Sequence, residues 1–282
     1  MILFTVFGAP VRAEWVLDAA AAVKYDSNLT RAANGPDVRP GFAAALDASA
    51  GDFIAITGND GVTLTAHARA ESHVRYHGLD VAGIGGTAVY RHKSGVGWSA
   101  PWAALTVDGS YDRYRSEIRD GASFDVRAEA GRRFTERVDA LIGIACDRRY
   151  APNERPEVPG IPGNPFALAG QRVYVQAGYA LGEQWLFVLD AAIRRGDVES
   201  TSQQGAAVFA ASSAIAEDPA FGDERLYAYR LRGTTATLGG TLSFALNDHA
   251  SVDLRYRYAS TRSPQSLEYR TSNVALLLAY RL

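Results

Sequence analysis

The sequence has very little cysteine, almost no net charge and no long hydrophobic run. Cys146 is the only cysteine among 282 residues, which excludes a disulfide framework and a cysteine cluster for zinc. The formal net charge of −2 gives no indication of a nucleic-acid partner. Hydrophobic residues make up 47% of the chain, yet no run approaches the roughly 20 apolar residues of a membrane-spanning helix. A β-barrel does not need such a run, because only alternate residues of its strands face lipid.

The last nine residues alternate between large apolar side chains and smaller or polar ones. The apolar set is Val274, Leu276, Leu278, Tyr280 and Leu282. Because successive side chains of a strand point to opposite faces, this segment predicts a strand with one apolar face. An apolar final strand with an aromatic residue third from the end resembles the closing strand of bacterial outer-membrane β-barrels. The resemblance implies that this strand is the signal recognised by the barrel-assembly machinery.

The same alternation recurs along the chain and is clearest in the third predicted strand. One face carries Val62, Leu64, Ala66, Ala68, Ala70, Val74 and Tyr76, and the other carries Thr63, Thr65, His67, Arg69, Glu71, His73 and Arg75. A strand of this length favours a barrel over a soluble sandwich, whose strands are usually shorter. The connections also alternate, with short turns such as 182–183 and long connections such as 152–165 and 198–224. The sequence therefore predicts an all-β fold, a transmembrane antiparallel up-and-down β-barrel of about 12 strands.

The N-terminus indicates export. Ile2 to Ala9 is apolar, and Val11-Arg12-Ala13 has the small-x-small pattern of a signal-peptidase site. We interpret residues 1–13 as the end of a secretory signal and residues 14–282 as the barrel. The alternative is that the apolar segment is a first strand.

A second resemblance lies at the end of the first predicted strand, in Tyr25-Asp26-Ser27-Asn28. This motif resembles a group of proteobacterial outer-membrane barrels, many of them uncharacterised, and is similar to the barrel part of surface lipoprotein assembly modifiers. The sequence shows no segment like the periplasmic helical-repeat domain of those modifiers, so their activity is not expected. The implied location is the bacterial outer membrane. Its lipids and lipopolysaccharide, together with the barrel-assembly machinery, are the expected partners.

The predicted inward face carries charges of both signs. The residues predicted to line the lumen are His67, Arg69, Glu71, His73, Arg75, Asp125, Arg127, Glu129, Asp253, Arg255 and Arg257. They would form either a charged pore that sorts solutes or a ladder of salt bridges that fills a narrow lumen. His67 and His73 are too far apart in an extended chain to share a metal ion directly, and we expect neither a metal nor a cofactor.

The leading functional hypothesis is a narrow, porin-like channel for small polar solutes, with a structural or assembly barrel as one alternative. The other alternative is a lipid hydrolase that uses His92 and Ser94, because outer-membrane phospholipases and lipid A deacylases carry a similar His-x-Ser-Asn motif. Here Gly95 replaces the Asn, no residue can be assigned as the acid that orients His92, and His92 is expected at the periplasmic end of its strand. We therefore expect no catalytic activity.

The segment from Gly205 to Glu217 is small and apolar, which is unusual for an external loop. It predicts either a short helix that packs into the barrel mouth or a loop tip that packs only on itself.

Overall fold

A computed structural model describes residues 16–33, 35–222, 225–264 and 266–281. The predicted signal segment and Leu282 lie outside these residues. The strands are β1 Val16–Asp26, β2 Gly41–Ala55, β3 Asp60–His73, β4 Val81–Lys93, β5 Trp102–Tyr114, β6 Gly121–Arg133, β7 Val138–Tyr150, β8 Leu168–Ala180, β9 Trp185–Ser202, β10 Ser212–Glu217, β11 Tyr227–Ala245, β12 Ala250–Arg262 and β13 Glu268–Arg281. The described residues also contain a helix, α1, at Ala206–Ala211.

Twelve of these strands close into an antiparallel barrel. Each strand from β1 to β9 pairs with the next, β9 pairs with β11 rather than with β10, and β13 returns to pair with β1. The short strand β10 lies outside this ring and pairs only with β11. The predicted all-β, up-and-down barrel of about 12 strands is therefore confirmed, with one additional strand that the sequence did not predict.

The outward face of the barrel is a continuous apolar surface. Exposed large hydrophobic side chains occur on each barrel strand, and Ile84, Leu46 and Ile193 are 69%, 63% and 61% exposed. A soluble protein rarely exposes so large an apolar patch, whereas a transmembrane barrel presents one to lipid. Outward aromatic rings flank this belt at both ends, as in the tilted pair Trp185–Phe244 and the edge-to-face pair Phe124–Tyr150. Among the described residues, no helix is long and apolar enough to cross a membrane.

The two rims of the barrel differ in the length of their connections. One rim carries both ends of the described chain and short turns such as 134–137, 181–184 and 246–249. We call it the terminal rim, and the opposite rim, with its longer connections, the loop rim. Outer-membrane barrels have short periplasmic turns and longer extracellular loops, so the terminal rim corresponds to the periplasmic side.

Two predicted strand ends were wrong. β3 ends at His73, because the backbone N–H of His73 donates to the Asp80 carboxylate; residues 74–76 therefore belong to the connection with β4. β9 continues to Ser202, because it pairs with β11 along its whole length.

Candidate functional site

The inner wall of the barrel is lined by ion pairs between strands that are not neighbours. Arg69 on β3 donates to Asp112 on β5 at 3.0 and 2.6 Å. Asp112 is almost fully buried and also lies 3.5 Å from Arg149 on β7. Side chains on strands two apart can meet only inside the barrel, so these pairs identify the lumenal face.

Glycines on the intervening strands make these contacts possible. Arg69, Gly83 and Asp112 lie side by side on three adjacent strands, and a Cβ at Gly83 would come within 2.3 Å of the Asp112 carboxylate. Two further rows of this kind are Glu129–Gly143–Tyr174 and Asp190–Gly239–Arg257. Neighbouring strands are about 4.8 Å apart, so the outer members of a row are about 10 Å apart at Cα. Long side chains bridge that gap only where the middle residue leaves space.

Several residues predicted to line the lumen take part in this network. Glu71 accepts from Lys24 of β1 at 2.7 Å, and His73 Nε2 lies 3.4 Å from the same carboxylate. His67 Nδ1 lies 3.9 Å from Asp108. Glu129 accepts a hydrogen bond of 2.6 Å from the hydroxyl of Tyr174.

The remaining predicted residues belong to further pairs, with one exception. Asp125 lies 2.8 Å from Arg127, and Asp253 lies 3.1 Å from Arg255. Arg257 reaches Asp190 at 3.6 Å. Arg75 was wrongly predicted to lie on the inward face of β3: it is exposed in the following connection, with its guanidinium 5.2 Å from the centre of the Tyr76 ring.

The charged side chains do not fill the lumen completely. The side chains of Arg257, Arg69 and Lys24 are 60%, 45% and 40% exposed, although all three point into the barrel. Charged side chains that are exposed inside a closed barrel must border a space that water can occupy. The salt-bridge ladder and a water-accessible lumen therefore coexist.

The loop rim is covered by a folded segment, which we call the cap and define as residues 198–222 and 225–231. It comprises the end of β9, the helix α1, the strand β10 and the start of β11. The cap packs against connections from around the whole ring. Ala216 and Ala228 pack with Ile118 and Phe166, and Phe221 packs with Tyr76 and Leu79. Tyr76 and Leu79 belong to the β3–β4 connection, which lies across the ring from the β9–β11 hairpin, so the cap crosses the mouth of the barrel.

The segment Gly205–Glu217 that stood out in the sequence belongs to this cap. It forms α1 and then β10, and Ala214, Ile215 and Ala216 are at most 2% exposed. Its backbone is also bonded to a neighbouring loop, because Ile215 N–H donates to the Pro162 carbonyl at 2.9 Å. The predicted short helix is present as α1, but Val208 is its only buried residue, and the part of the segment that packs into the mouth is the strand β10.

A buried ion pair holds the cap to the connection between β5 and β6. Asp218 of the cap is fully buried and accepts from Arg119 at 2.6 and 3.3 Å and from Thr201 at 2.8 Å. The Arg119 guanidinium also lies 4.3 Å from the centre of the Phe166 ring. Each oxygen of the buried carboxylate is thus hydrogen-bonded, as such a group requires.

A second carboxylate supports the same contact. Glu199 of the cap lies 3.7 Å from Arg119 and 3.0 Å from Arg31 of the β1–β2 connection. Burial by itself would raise the pKa of Glu199, but the positive charges of Arg31 and Arg119 hold that pKa below its ordinary value. Burial likewise opposes the charge on Arg119, and Asp218 and Glu199 more than offset it, which raises the pKa of Arg119. Glu199 and Arg119 are therefore both charged at neutral pH.

The predicted assembly signal lies on the outward face of β13. Val274, Leu276, Leu278 and Tyr280 are between 39% and 54% exposed, whereas Leu277 between them is buried on the inner side. The final member, Leu282, lies outside the described residues. β13 pairs with β1 over nine residues, so this strand closes the ring.

His92 and Ser94 lie at the terminal rim. His92 Nδ1 is 2.8 Å from Asp60, an orienting carboxylate that sequence reasoning did not find because it comes from a different strand. Asp60 also accepts hydrogen bonds from Thr57 and Tyr90, and these two bonds, together with that to His92, lower the pKa of Asp60 to about 2. In the part of the chain that the structure describes, the Ser94 side chain makes no hydrogen bond to His92. A nucleophile is therefore not assembled beside the base.

Sequence reasoning also missed the glycine rows and the buried pair in the cap. The role of the glycines could not be predicted, because it depends on which residues they face on the neighbouring strands, and the sequence alone does not determine that register. Asp218 and Arg119 are 99 positions apart in otherwise irregular segments. Within the described ranges, no group of three or more His, Cys, Asp or Glu side chains could hold a metal ion.

Comparison with known proteins places the fold among outer-membrane channels. No protein-family model matches the sequence, and no curated protein matches it significantly. The crystal structure of an outer membrane channel from Pseudomonas putida F1 is similar, with a TM-score of 0.57 and 10% identity over 98% of this chain and 97% of that chain. The NanC porin is similar with a TM-score of 0.51 and 8% identity, over 94% of this chain and 100% of that one.

These likenesses concern the fold, and the surface of the barrel agrees with them. A closed ring of 12 strands, an outward apolar belt and aromatic rings at both ends together require a bilayer. The chain is an integral β-barrel of the bacterial outer membrane, with a fold like that of small channels and porins.

Proposed function

We propose that this barrel is a narrow channel for small polar solutes whose external mouth is closed by the cap. One observation carries the proposal: charged side chains on the inner wall remain accessible to water inside a closed barrel. Arg257, Arg69 and Arg255 are 60%, 45% and 41% exposed there. Lining charges of both signs favour polar solutes over apolar ones.

The cap determines when such a channel could conduct. Its central residues are almost completely buried, so solutes have no evident path through it. Passage would require the cap to move away from the connections that it contacts. The same burial supports the alternative of a structural barrel without transport, in which the cap never opens.

Single-channel recording in planar bilayers distinguishes these functions. The test compares the full chain with a capless variant in which residues 198–231 are replaced by Asn-Gly between Asp197 and Arg232. These two residues are directly paired on β9 and β11, so a two-residue hairpin turn fits between them. We expect rare openings from the full chain and sustained conductance from the capless variant.

A capless barrel that folds but stays silent would refute the channel and favour the structural function. Folding is checked by heat-modifiable migration on a gel. Asp60→Ala serves as the control, since it removes a carboxylate at the terminal rim and leaves the cap intact.

A further inference from the structure

The outward apolar belt ends in four arginines near the loop rim. They are Arg148 on β7, Arg195 on β9, Arg232 on β11 and Arg262 on β12, and all four are exposed. On each strand, outward-facing apolar or uncharged residues lie between the arginine and the terminal rim, as Leu189 and Ile193 do for Arg195. Lipid-facing positions on four strands thus change from apolar to cationic at the same end of the barrel.

Strand register brings these arginines together. Thr234 on β11 is paired with Arg195 on one side and with Arg262 on the other. The Cα atoms of those two arginines are therefore about 10 Å apart, and Arg232 lies two positions along β11, about 7 Å from Thr234. Guanidinium groups on long side chains can converge on one ligand from such spacings.

The arginines line a concavity of about 910 Å³ on the outer surface of the barrel. It forms where the β9–β11 hairpin leaves the wall to enter the cap. The last pairing of β8 with β9 is Gly170 with Gly196, and the last pairing of β12 with β11 is Arg262 with Thr234. Beyond these residue pairs, β9 and β11 are no longer paired with β8 and β12, and the hairpin bends inward over the mouth of the barrel. Phe124, Val126 and Cys146 complete the apolar side of the hollow, which we call the arginine cleft.

The cleft keeps a surplus of positive charge. Among the described residues, Arg148, Arg195 and Arg232 have no carboxylate within ion-pair distance, and Arg262 has only Glu268 at 3.9 Å. Asp197 lies at the step, where its carboxylate accepts from the backbone N–H of Ala169. Asp147, which also borders the cleft, is paired with Arg194 on the lumenal side. One nearby carboxylate does not neutralise three unpaired guanidinium groups.

The height of the cleft matches the surface of the outer leaflet. Arg195 is ten positions after Trp185, which stands at the terminal rim. At about 3.4 Å per residue and a strand tilt of about 40°, this separates them by about 26 Å along the membrane normal. The apolar band of outer-membrane barrels is about 25 Å tall, so the arginines lie at the level of the lipid headgroups.

We propose that the arginine cleft binds the phosphate groups of a phosphorylated, acylated glycolipid of the outer leaflet. Guanidinium groups bind phosphate through paired hydrogen bonds, and several converge here on one hollow. Val126 and Ile193, on the membrane side of the arginines, and Phe124, which is paired directly with Arg148, provide contacts for acyl chains. Both parts of such a lipid are therefore matched by adjacent surfaces.

The test measures binding of diphosphoryl lipid A to the purified full-length barrel in detergent, with dephosphorylated lipid A and inorganic phosphate as comparison ligands. The double variant Arg195→Gln/Arg232→Gln should lower the affinity for diphosphoryl lipid A at least about tenfold, since each loses charge-assisted hydrogen bonds. Arg132→Gln is the matched control. Arg132 is an exposed residue of β6 near the terminal rim, where it donates to the Ser99 carbonyl, and the control should bind as the native chain does.

A second measurement needs no change to the cleft. Cys146 is exposed at its edge and is the only cysteine in the chain, so bound lipid should slow the reaction of its thiol with a maleimide. Diphosphoryl lipid A should protect Cys146, and dephosphorylated lipid A should not. Equal protection by both lipids, or unchanged affinity in the double variant, would overturn the proposal. Complete displacement of lipid A by millimolar inorganic phosphate would also overturn it, because the site would then bind free anions.

Discussion

Replacing Asp218 by alanine should loosen the cap without disturbing the barrel wall. The carboxylate of Asp218 is fully buried and accepts hydrogen bonds from Arg119, Thr201 and Ala220. Arg119 remains buried when its partner is removed, because Phe166 and Phe221 continue to cover it. The variant therefore leaves a charged group without its main partner in an environment that excludes water.

The structure indicates the size of this effect. Removing one member of a buried ion pair costs about 3–5 kcal/mol. Glu199 stays 3.7 Å from Arg119 and compensates in part, so we expect about 3 kcal/mol, at the lower end. Since 1.4 kcal/mol corresponds to a tenfold change in an equilibrium constant, the population of the open cap should rise by about 100-fold. Asp218→Asn keeps an acceptor oxygen but loses the charge, and its effect should be intermediate.

Hydrogen exchange measures this opening directly. The amides of Thr201 and Ile215 in the cap donate to Thr30 and Pro162 in neighbouring connections, so they exchange only when those contacts break. Both should exchange about 100-fold faster in Asp218→Ala, whereas amides in the middle of the wall strands should not change. Asp60→Ala at the opposite rim is the control. Unchanged exchange at Thr201 and Ile215 would refute the idea that the Arg119–Asp218 pair holds the cap in place.

Three further predictions concern the wall and the cap. Gly239→Ala should lower the folding yield in lipid vesicles and Gly240→Ala should not, because a Cβ at Gly239 meets Asp190 at 2.4 Å whereas Gly240 has no neighbour closer than 3.8 Å. Ala68→Arg should impair folding by about 2–4 kcal/mol because it puts charge on the lipid face. His67→Ala, at the adjacent lumenal position, should be mild because Asp108 keeps its hydrogen bond from Thr87, and equal tolerance at the two positions would show that β3 does not face a bilayer. The pKa of Glu199 lies below its ordinary value of 4.5, so its contribution to cap stability is complete above that pH and is lost as the pH falls further; the protection of the Thr201 amide, measured against the intrinsic exchange rate at each pH, should therefore fall in acid.

The barrel itself could be predicted because alternation survives wherever one face of a strand meets lipid. The two faces of β3 were predicted correctly up to His73 for this reason. The extension of β9 could not be found in the same way. Ser200, Thr201 and Ser202 are all buried in the cap, where neither face of the strand meets lipid. Neither face therefore had to be apolar, and the alternation of apolar and polar side chains disappears from the sequence.

The charges of the lumen could also be predicted, but their pairing could not. Alternation places Arg69 on the inward side, yet the choice of Asp112 as its partner depends on the register of β3, β4 and β5 and on the glycine between them. The arginine cleft has the same origin. Arg195, Arg232 and Arg262 come from three strands, and each looks like an ordinary strand end until the pairing is known.

The cap and the arginine cleft arise from one structural event, the departure of the β9–β11 hairpin from the wall. Up to Gly196 and Thr234 these strands have neighbours on both sides, and beyond that point they lose β8 and β12 and gain β10. The inward bend places the hairpin across the mouth, where Asp218 binds Arg119. The same bend removes wall from the outer surface and leaves the hollow that the arginines line. A barrel whose twelve strands all ended at one level would have an open mouth and a convex outer face, so the unequal length of two strands accounts for both sites.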